Sequence, residues 1–296
     1  LPAGMVSAAL MAGNTVILKS AGPTPIVAQM LPDTFHQAGV PREALIHLPG
    51  PGERVGMRLV QCPDVDLVSF TGSMAFGTRL YSIAASVALR RGGIKRVIAE
   101  MGGKNAIVVL PDADMDEAVS GILQSAFGHA GQKCSACSRV LVHRQVCDVL
   151  VRRLVEAARS LPVGPADDPA TVINPVIGKE AFERILAYRQ AAYEEGRVLL
   201  DMMEHHEEGS LCLGPLIVEV DAEKSPVARL TQEEIFGPVL ALIPFESEEE
   251  AVRIVNNTVY ALTLGVFSRS PGTVRRMVRA CRAGNVYVNR GVTGAR

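Results

Sequence analysis

The chain has 296 residues, of which 48% are hydrophobic and 21% charged, a composition typical of folded proteins that excludes a disordered chain. Its 30 Lys and Arg residues against 31 Asp and Glu give a net charge of −1, so no summed field favours nucleic acid or an acidic membrane surface. The longest nearly apolar stretch, residues 3–13, is too short to cross a bilayer, which needs about 20 residues. We therefore expect neither a nucleic-acid nor a membrane partner.

Cysteine use and the two chain ends bear on cell compartment and completeness. Six cysteines are spread thinly, and no charged n-region, apolar h-region and cleavage site open the chain, which indicates a reducing cytoplasm. A prior of about 100 to 200 residues per domain predicts two domains. Since the chain starts with Leu1 rather than Met and ends at Arg296 directly after a glycine-containing turn, we expect a fragment of a longer protein.

The first hundred residues alternate short apolar runs with stretches of helical periodicity. Four strands are predicted from apolar runs at 16–18, 45–48, 67–70 and 96–99. Helical patterns follow the first three runs, at 26–35, 53–60 and after the turn at 71–73. Strands that alternate with helices of this length predict βαβ units, a parallel sheet and right-handed crossovers.

The pattern resets near Gly102, where we place the domain boundary. Further strands are predicted at 106–110, 140–142, 216–220 and 239–245. Helices are predicted from the acidic turn at 111–114 to about 127, and at 149–161, 182–195 and 248–256. These elements predict a second α/β unit, within which the polar residues 203–210 indicate a mobile stretch.

Cys134 is the first candidate for chemistry, because it lies in a loop-like stretch between a predicted helix and strand. Most cysteines are small buried hydrophobes. Here Lys133 and Arg139 supply positive charge that favours the thiolate, and the small neighbouring residues permit close approach by a substrate. The spacing Cys134-x-x-Cys137 also fits a redox or zinc half-site. No second Cys pair or His-x-x-x-His partner accompanies it, so we expect no metal.

Glu100 is the second candidate. It ends an apolar strand beside two glycines, at the carboxyl end where open parallel sheets bind ligands. A surface salt bridge between Glu100 and Lys104 is the alternative explanation, and the sequence favours neither.

Other polar residues carry weaker indications. Gly72 and Ser73 follow the strand at 67–70, where a helix start presents N–H groups to a phosphate. A plain N-cap explains Ser73 equally well. His129, just before the Cys134 loop, is the one histidine placed to act as a base, whereas His205 and His206 lie among glutamates and fit a solvated loop better than a metal site.

Five segments together resemble the aldehyde dehydrogenase superfamily, namely residues 13–19, 70–73, 100–104, 131–134 and 232–239. They occur in order along essentially the whole chain, and the separation 134 − 100 = 34 is the family's spacing of base and nucleophile. The resemblance implies an α/β fold, with a partial parallel-sheet Rossmann-type cofactor domain and an α/β catalytic domain. It further implies that the full-length parent is a homo-oligomer.

Residues 131–139 and 289–295 look more narrowly like the 1-pyrroline-5-carboxylate dehydrogenases. That resemblance implies NAD-dependent oxidation of L-glutamate γ-semialdehyde, a small-molecule aldehyde, to L-glutamate in proline degradation. Cys134 would form a thiohemiacetal and then a thioester, and Glu100 would activate the water that hydrolyses it. The runner-up is a dehydrogenase for another aldehyde, and two further classes are a cysteine hydrolase that needs no dinucleotide and a non-catalytic scaffold.

The resemblance assigns the remaining site residues by position. It implies cofactor contacts for Lys19 at the adenosine ribose, Gly72 and Ser73 at the pyrophosphate, and Glu234 and Phe236 at the nicotinamide ribose. It implies substrate contacts for Lys133, Ser135, Gly294 and Ala295. The predicted domains are a partial NAD-binding domain at 1–102, a catalytic domain at 103–285, and the start of a substrate-anchoring loop at 286–296.

Two departures from the family pattern modify these expectations. Many relatives carry Glu three positions after the ribose-binding lysine, where this chain has Gly22, so NADP stays open as an alternative cofactor. The family's oxyanion Asn belongs to a motif that would end upstream of Leu1. We therefore expect the isolated chain to be weakly active or inert.

Overall fold

A computed structural model describes residues 1–203 and 209–294. The chain divides into two compact units, Leu1–Met101 and Gly102–Arg296. His205, His206 and most of the stretch predicted to be mobile lie outside the described residues, and so does Ala295. Within the described part, no helix is both long and apolar enough to span a membrane.

The first unit contains four short strands and four α-helices, besides a 3-10 helix (Arg42–Ala44) and a π-helix (Gly52–Gly56). The strands are β1 (Val16–Leu18), β2 (Leu45–His47), β3 (Leu67–Thr71) and β4 (Arg96–Glu100), and the helices are α1 (Pro2–Met11), α2 (Pro25–Gln37), α3 (Met57–Gln61) and α4 (Met74–Ala85). Strand β1 pairs with β2 and β3 with β4, both in parallel. Parallel pairing was predicted, but the described strands form two pairs rather than one sheet, because an apolar run indicates a strand and not its neighbour.

The local sequence explains where helix α4 begins. Ser73 is the N-cap of α4, and its side chain accepts a hydrogen bond from the Phe76 N–H at 3.3 Å. Helix α1 was not predicted, because nearly all of its residues are apolar and it shows no amphipathic period.

The second unit is built on a seven-stranded sheet in the order β11-β10-β5-β6-β9-β8-β7, parallel except where β7 meets β8. Its strands are β5 (Asn105–Val109), β6 (Cys137–His143), β7 (Arg197–Asp201), β8 (Leu216–Glu219), β9 (Val239–Phe245), β10 (Thr263–Phe267) and β11 (Asn285–Val288). Its helices are α5 (Met115–Phe127), α6 (Arg144–Arg159), α7 (Lys179–Glu195), α8 (Arg229–Gln232), α9 (Glu248–Asn256) and α10 (Pro271–Ala280). Every residue of β5, β9 and β10 is buried, as expected for parallel strands covered on both faces.

Several predicted elements of this unit have nearly the predicted bounds. Strand β9 and helix α9 match the prediction, and α5 begins after Asp114, whose carboxylate accepts hydrogen bonds from the Asp116 and Glu117 N–H groups. Helix α6 starts five residues before the predicted position 149, because the His143 ring caps it by accepting from the Gln145 N–H at 3.3 Å.

Within the described part of the second unit, five elements were not predicted from the sequence, namely β7, α8, β10, α10 and β11. Strand β11 places residues 285–288 at one edge of the sheet of the second unit. Its partly exposed residues lack the continuous apolar run that marks the central strands.

Candidate active site

Cys134 lies half-buried in a tight turn between α5 and β6. The backbone enters this turn through His129 (φ 57°) and Ala130 (φ 52°), two consecutive left-handed residues that are not glycine. Such conformations cost free energy and are concentrated at functional sites. The Ala136 N–H donates to the Lys133 carbonyl at 3.0 Å and closes the turn around Cys134.

Asn105 fixes this turn. Its Nδ2 donates to the carbonyls of Cys134 (2.7 Å) and Ala136 (2.8 Å), and its Oδ1 accepts from the Thr263 N–H at 2.9 Å. The side chain is buried, so all three bonds are protected from water. Asn105 therefore ties the Cys134 turn to the starts of strands β5 and β10.

We expect Asn105→Asp to destabilise the protein by about 3 kcal/mol, because a carboxylate would face two carbonyl oxygens in place of the amide N–H donor. Urea denaturation measures this change in the free energy of unfolding. The exposed Asn257 supplies the control, since Asn257→Asp is expected to shift stability by no more than about 0.5 kcal/mol. Equal stability of Asn105→Asp and the wild type would contradict the assigned role.

Gly102 and Gly103 pack between the Glu234 carboxylate and the Cys134 turn. The Gly103 N–H donates to Glu234 Oε1 at 3.1 Å. A Cβ added at Gly102 would overlap the Glu234 carboxylate, and one added at Gly103 would lie 2.5 Å from the Cys134 carbonyl oxygen. The two glycines therefore separate the carboxylate of Glu234 from the Cys134 turn, and nothing larger than glycine fits.

Glu234 and Phe236 lie in the segment that also contacts the start of the Cys134 turn. Burial raises the pKa of Glu234, while the Gly103 N–H and the positive charge of Lys104 act in the opposite direction on that pKa. Phe236 is 37% exposed and has a left-handed φ of 55°. A Cβ added at Gly131 would collide with the carbonyl of Gly237, the residue after Phe236.

Cys137 is a structural residue rather than half of a redox or zinc pair. It is buried at the start of β6, burial raises the pKa of its thiol to about 12, and its Sγ donates to the Arg139 carbonyl at 3.3 Å. Burial also raises the pKa of Cys147 and of Cys281 to about 11. Among the described residues, no group of three or more His, Cys, Asp or Glu side chains is arranged to hold a metal ion.

Arg139 does not serve the Cys134 turn as the sequence suggested. Its buried guanidinium donates to the Lys104 carbonyl (3.0 Å) and to the Ile254 (3.0 Å) and Val255 (3.3 Å) carbonyls near the end of α9. The carboxyl end of a helix carries partial negative charge and unpaired carbonyls, so a cation is stabilised there. The positive charge of Arg139 thus anchors α9 to the sheet.

In the first unit, residues predicted to bind a cofactor follow the ends of strands β1 and β3. Burial lowers the pKa of Lys19, whose Nζ would lie 3.8 Å from a Cβ added at Gly52. The same Cβ would lie 3.7 Å from the Phe76 ring of α4, the helix that Ser73 caps. Gly72, beside Ser73, leaves no room for a side chain, because a Cβ there would lie 2.5 Å from the Phe70 ring.

Glu100 is the last residue of β4, and its side chain is exposed. Its carbonyl accepts from the Gly72 N–H at 3.1 Å, which joins the ends of β3 and β4. The alternative surface salt bridge with Lys104 is wrong, because Lys104 is buried and its Nζ has no hydrogen-bond partner in the described part of the chain.

The decisive comparison concerns the whole chain. The model of the aldehyde dehydrogenase family matches residues 1–296. The chain belongs to the aldehyde dehydrogenase family. The resemblance inferred from the five motifs is thereby confirmed, and so is the α/β fold class.

Three relatives of this aldehyde dehydrogenase chain describe it further. A 1-pyrroline-5-carboxylate dehydrogenase from Geobacillus thermodenitrificans is 42% identical over 293 residues, covering 99% of this chain and 56% of the relative. Among solved structures, 1-pyrroline-5-carboxylate dehydrogenase from Thermus with bound NAD has a TM-score of 0.93 at 38% identity, with 99% and 56% covered. Proline utilization A from Bdellovibrio bacteriovorus has a TM-score of 0.94 at 44% identity, covering 99% of this chain and 30% of that one. The chain therefore spans about half the length of the dehydrogenases it matches.

The residues predicted to hold the substrate lie in two different segments of this aldehyde dehydrogenase chain. Lys133 and Ser135 flank Cys134 in the turn, while Gly294 (φ 96°) ends the described part of the loop after β11. No hydrogen bond joins these three residues to one another in the part of the chain that the structure describes. The loop before Gly294 is fixed by the Val292 N–H, which donates to Ser125 Oγ at 2.9 Å.

Sequence reasoning missed Asn105 and Ser125 as positioning residues of this aldehyde dehydrogenase chain. Asn105 is the one polar residue of strand β5, and a polar residue that opens an otherwise apolar buried strand needs partners. Ser125 is likewise buried within the apolar face of α5, where its Oγ donates to the Gly121 carbonyl and accepts from Val292. Both residues could have been found by asking which polar side chains stand at buried positions.

Proposed function

We propose that the whole protein is an NAD-dependent dehydrogenase that oxidises L-glutamate γ-semialdehyde to L-glutamate in proline degradation. The observation that carries this proposal is the pair of glycines, Gly102 and Gly103, that lies between the Glu234 carboxylate and the Cys134 turn. The residue that we propose as the nucleophile and the residue that we propose as acceptor for a ribose hydroxyl thus pack against adjacent glycines. The names of the relatives support the choice of aldehyde.

The residues present suit a dinucleotide. Helix α4 offers unpaired N–H groups beside Gly72 and Ser73 for a pyrophosphate. Lys19 offers an ammonium group to the adenosine ribose, and Glu234 accepts from the nicotinamide ribose with Phe236 beside it. When bound, NAD accepts the hydride that the substrate loses. A parallel assay with NADP tests the consequence of Gly22, which has no carboxylate to repel a 2′-phosphate.

Cys134 and Glu100 share the covalent chemistry. The Cys134 thiolate attacks the aldehyde carbon and forms a thiohemiacetal, while the carbonyl oxygen gains negative charge. The backbone N–H of Cys134 has no acceptor among the described residues, so it is available to donate to that oxygen. Loss of hydride leaves a thioester. Glu100 takes a proton from water, which attacks the thioester carbon, and the carbon–sulfur bond breaks to release glutamate and the thiolate.

The substrate's α-carboxylate is assigned to the segments on either side of the reacting aldehyde. Ser135 and the turn of Gly294 and Ala295 would donate hydrogen bonds to it, and Lys133 would add positive charge. We further propose that residues 1–102 bind the cofactor, that 103–285 carry catalysis and that 286–296 begin the substrate-anchoring loop.

A substrate panel tests this function. The whole protein is given NAD and glutamate semialdehyde, propanal or hexanal, and NADH formation is followed. We expect kcat/KM for glutamate semialdehyde to exceed that for either uncharged aldehyde by about tenfold or more, because a carboxylate bound by charge-assisted hydrogen bonds contributes differential binding. Higher kcat/KM for the uncharged aldehydes would reassign the substrate, and no NADH with any aldehyde would overturn the proposed activity.

The size of residue 103 is a second test. We expect Gly103→Ala to lower kcat/KM by about 10²-fold, because the methyl group displaces the carbonyl of Cys134 and misplaces the nucleophile. It is also expected to lower the free energy of unfolding by about 1–3 kcal/mol. Gly128 supplies the control, because a Cβ there meets no atom within 4 Å and its φ of −56° suits any residue. Full activity of Gly103→Ala would show that the Cys134 turn moves without cost.

Two further features complete the proposal. We place the protein in the cytoplasm, because catalysis requires Cys134 to stay reduced and a reducing compartment keeps it so.

We also propose a homo-oligomer, supported by strand β11, which forms one edge of the sheet in the described chain and presents backbone groups that a second copy can pair. Light scattering of the whole protein tests the assembly.

A further inference from the structure

A small cavity in the second unit lies at the amino-terminal ends of neighbouring strands. Lys104 precedes β5, Arg139 lies near the start of β6 and Thr263 begins β10, and all three line the cavity. The volume open to the centre of a water-sized particle is about 10 Å³. This is room for about one such particle. The Cys134 turn is a separate feature, joined to this cavity through Asn105.

Two of the residues that line the cavity carry a buried polar side-chain atom without a partner in the described part of the chain. Lys104 is 1% exposed and Thr263 is 5% exposed, and neither Lys104 Nζ nor Thr263 Oγ1 makes a hydrogen bond to any described residue. Buried donors are rarely left unpaired, because losing water without gaining a partner costs free energy. The Lys104 ammonium group only donates and the Thr263 hydroxyl is able to donate, so an acceptor would satisfy both groups.

The charge of the lining decides what kind of acceptor fits. Lys104, Arg139 and Arg282 line the cavity, and no Asp or Glu does. The guanidinium of Arg139 bonds to three neutral carbonyls and has no carboxylate partner in the described residues. A buried cation without a counter-charge is unfavourable, so an anion in the cavity would lower the free energy of the folded protein.

The acidic side chains that act on Lys104 through space are engaged elsewhere. Glu233 accepts from Tyr188 Oη at 2.5 Å and pairs with Arg229 at 3.2 Å. Glu234 accepts from the Gly103 N–H at 3.1 Å. Both carboxylates influence Lys104 through space, and neither bonds to its Nζ.

We propose that this cavity binds one monoatomic anion of chloride size, held by Lys104 Nζ and Thr263 Oγ1. A monoatomic anion suits the room available, which is that of about one water-sized particle. The proposal concerns a site apart from the dehydrogenase chemistry, so it stands whichever aldehyde the whole protein oxidises.

The protonation of Lys104 gives the site a pH dependence. Burial and the charge of Arg139 lower the pKa of Lys104 to about 7. Because only the ammonium form attracts an anion, affinity is highest below pH 7 and falls as the pH rises above it. Bound anion in turn raises this pKa. The titratable and charged groups that act on Lys104 or share the cavity are Arg139, Cys137, Glu233, Glu234, Tyr260 and Arg282.

Anomalous diffraction from crystals of the whole protein soaked in sodium bromide tests the site directly. We expect a bromide peak within hydrogen-bond reach of Lys104 Nζ and Thr263 Oγ1, and none there in a crystal soaked in sodium phosphate alone. An empty cavity, or a water molecule in place of bromide, overturns the proposal.

Matched variants test the same site in solution. Thermal unfolding is measured in sodium chloride and in sodium gluconate at equal ionic strength and pH 6.5. We expect chloride to stabilise the wild type, and its apparent affinity to fall at least tenfold in Lys104→Met and in Thr263→Val but to persist in Thr263→Ser. Lys95→Met is the control, since Lys95 is a buried lysine of the first unit whose Nζ already donates to the Cys62 carbonyl. An unchanged chloride response in Lys104→Met overturns the proposal.

Discussion

Replacing Cys134 by serine is expected to lower kcat/KM with glutamate semialdehyde by at least about 10³-fold, because a serine hydroxyl without a neighbouring base is a far weaker nucleophile than a thiolate. The exchange of sulfur for oxygen occurs at a half-buried position in a turn whose bonds run through backbone atoms. We therefore expect the free energy of unfolding to change by less than about 1 kcal/mol. Steady-state kinetics and urea denaturation of the same preparation separate the two effects.

A second cysteine makes this test specific. Cys62 is also a partly exposed free thiol, but it lies at the end of α3 in the first unit. Cys62→Ser is expected to retain the wild-type kcat/KM. If Cys134→Ser kept more than a tenth of the wild-type activity, another group would have to be the nucleophile.

Glu100→Gln is expected to slow steady-state turnover by about 10²- to 10⁴-fold, because the amide keeps the shape of the carboxylate and cannot accept a proton from water. In the proposed mechanism, the first half of the reaction does not need this base. Rapid mixing should therefore show a burst of NADH of about one equivalent per active site, followed by the slow phase. The burst distinguishes a base for thioester hydrolysis from a residue needed for folding or for hydride transfer.

Glu43 provides the control for this variant, because it is an exposed glutamate of the same unit and lies before β2. Glu43→Gln is expected to turn over at the wild-type rate. A Glu100→Gln enzyme with no burst and no slow phase would place Glu100 before hydride transfer and contradict its assigned role.

The elements that the sequence predicted well are those whose own residues form a recognisable local pattern. Strand β9 is a continuous apolar run because both of its faces are buried, and α9 carries three glutamates in its first turn and a serine N-cap. The position of Cys134 in a turn followed from the small residues around it. The edge strand β11 was missed, since partial exposure removes the pattern that identifies a strand.

The contacts that build the candidate site depend on residues distant in the chain. Asn105 and Thr263 are separated by 158 positions, and Gly103 and Glu234 by 131. No local pattern encodes such a pair. The sequence suggested that Arg139 acts on Cys134, because only five positions separate them. In the structure, Arg139 instead donates to two carbonyls of α9, which lie 115 and 116 positions away. Distance along the chain was a poor guide to which charge serves which group.

The burial of Cys137 has a consequence for oxidation of Cys134. A thiolate at Cys134 that meets peroxide is converted to a sulfenic acid, which a nearby thiol normally rescues by forming a disulfide. Cys137 stands only three positions along the chain, but its thiol is buried, protonated and bonded to the Arg139 carbonyl. The Cys-x-x-Cys spacing therefore gives no internal repair. Because Cys137 does not supply the rescuing thiol, an oxidised Cys134 needs another one, such as a small thiol from solution, before further oxidation makes the damage irreversible.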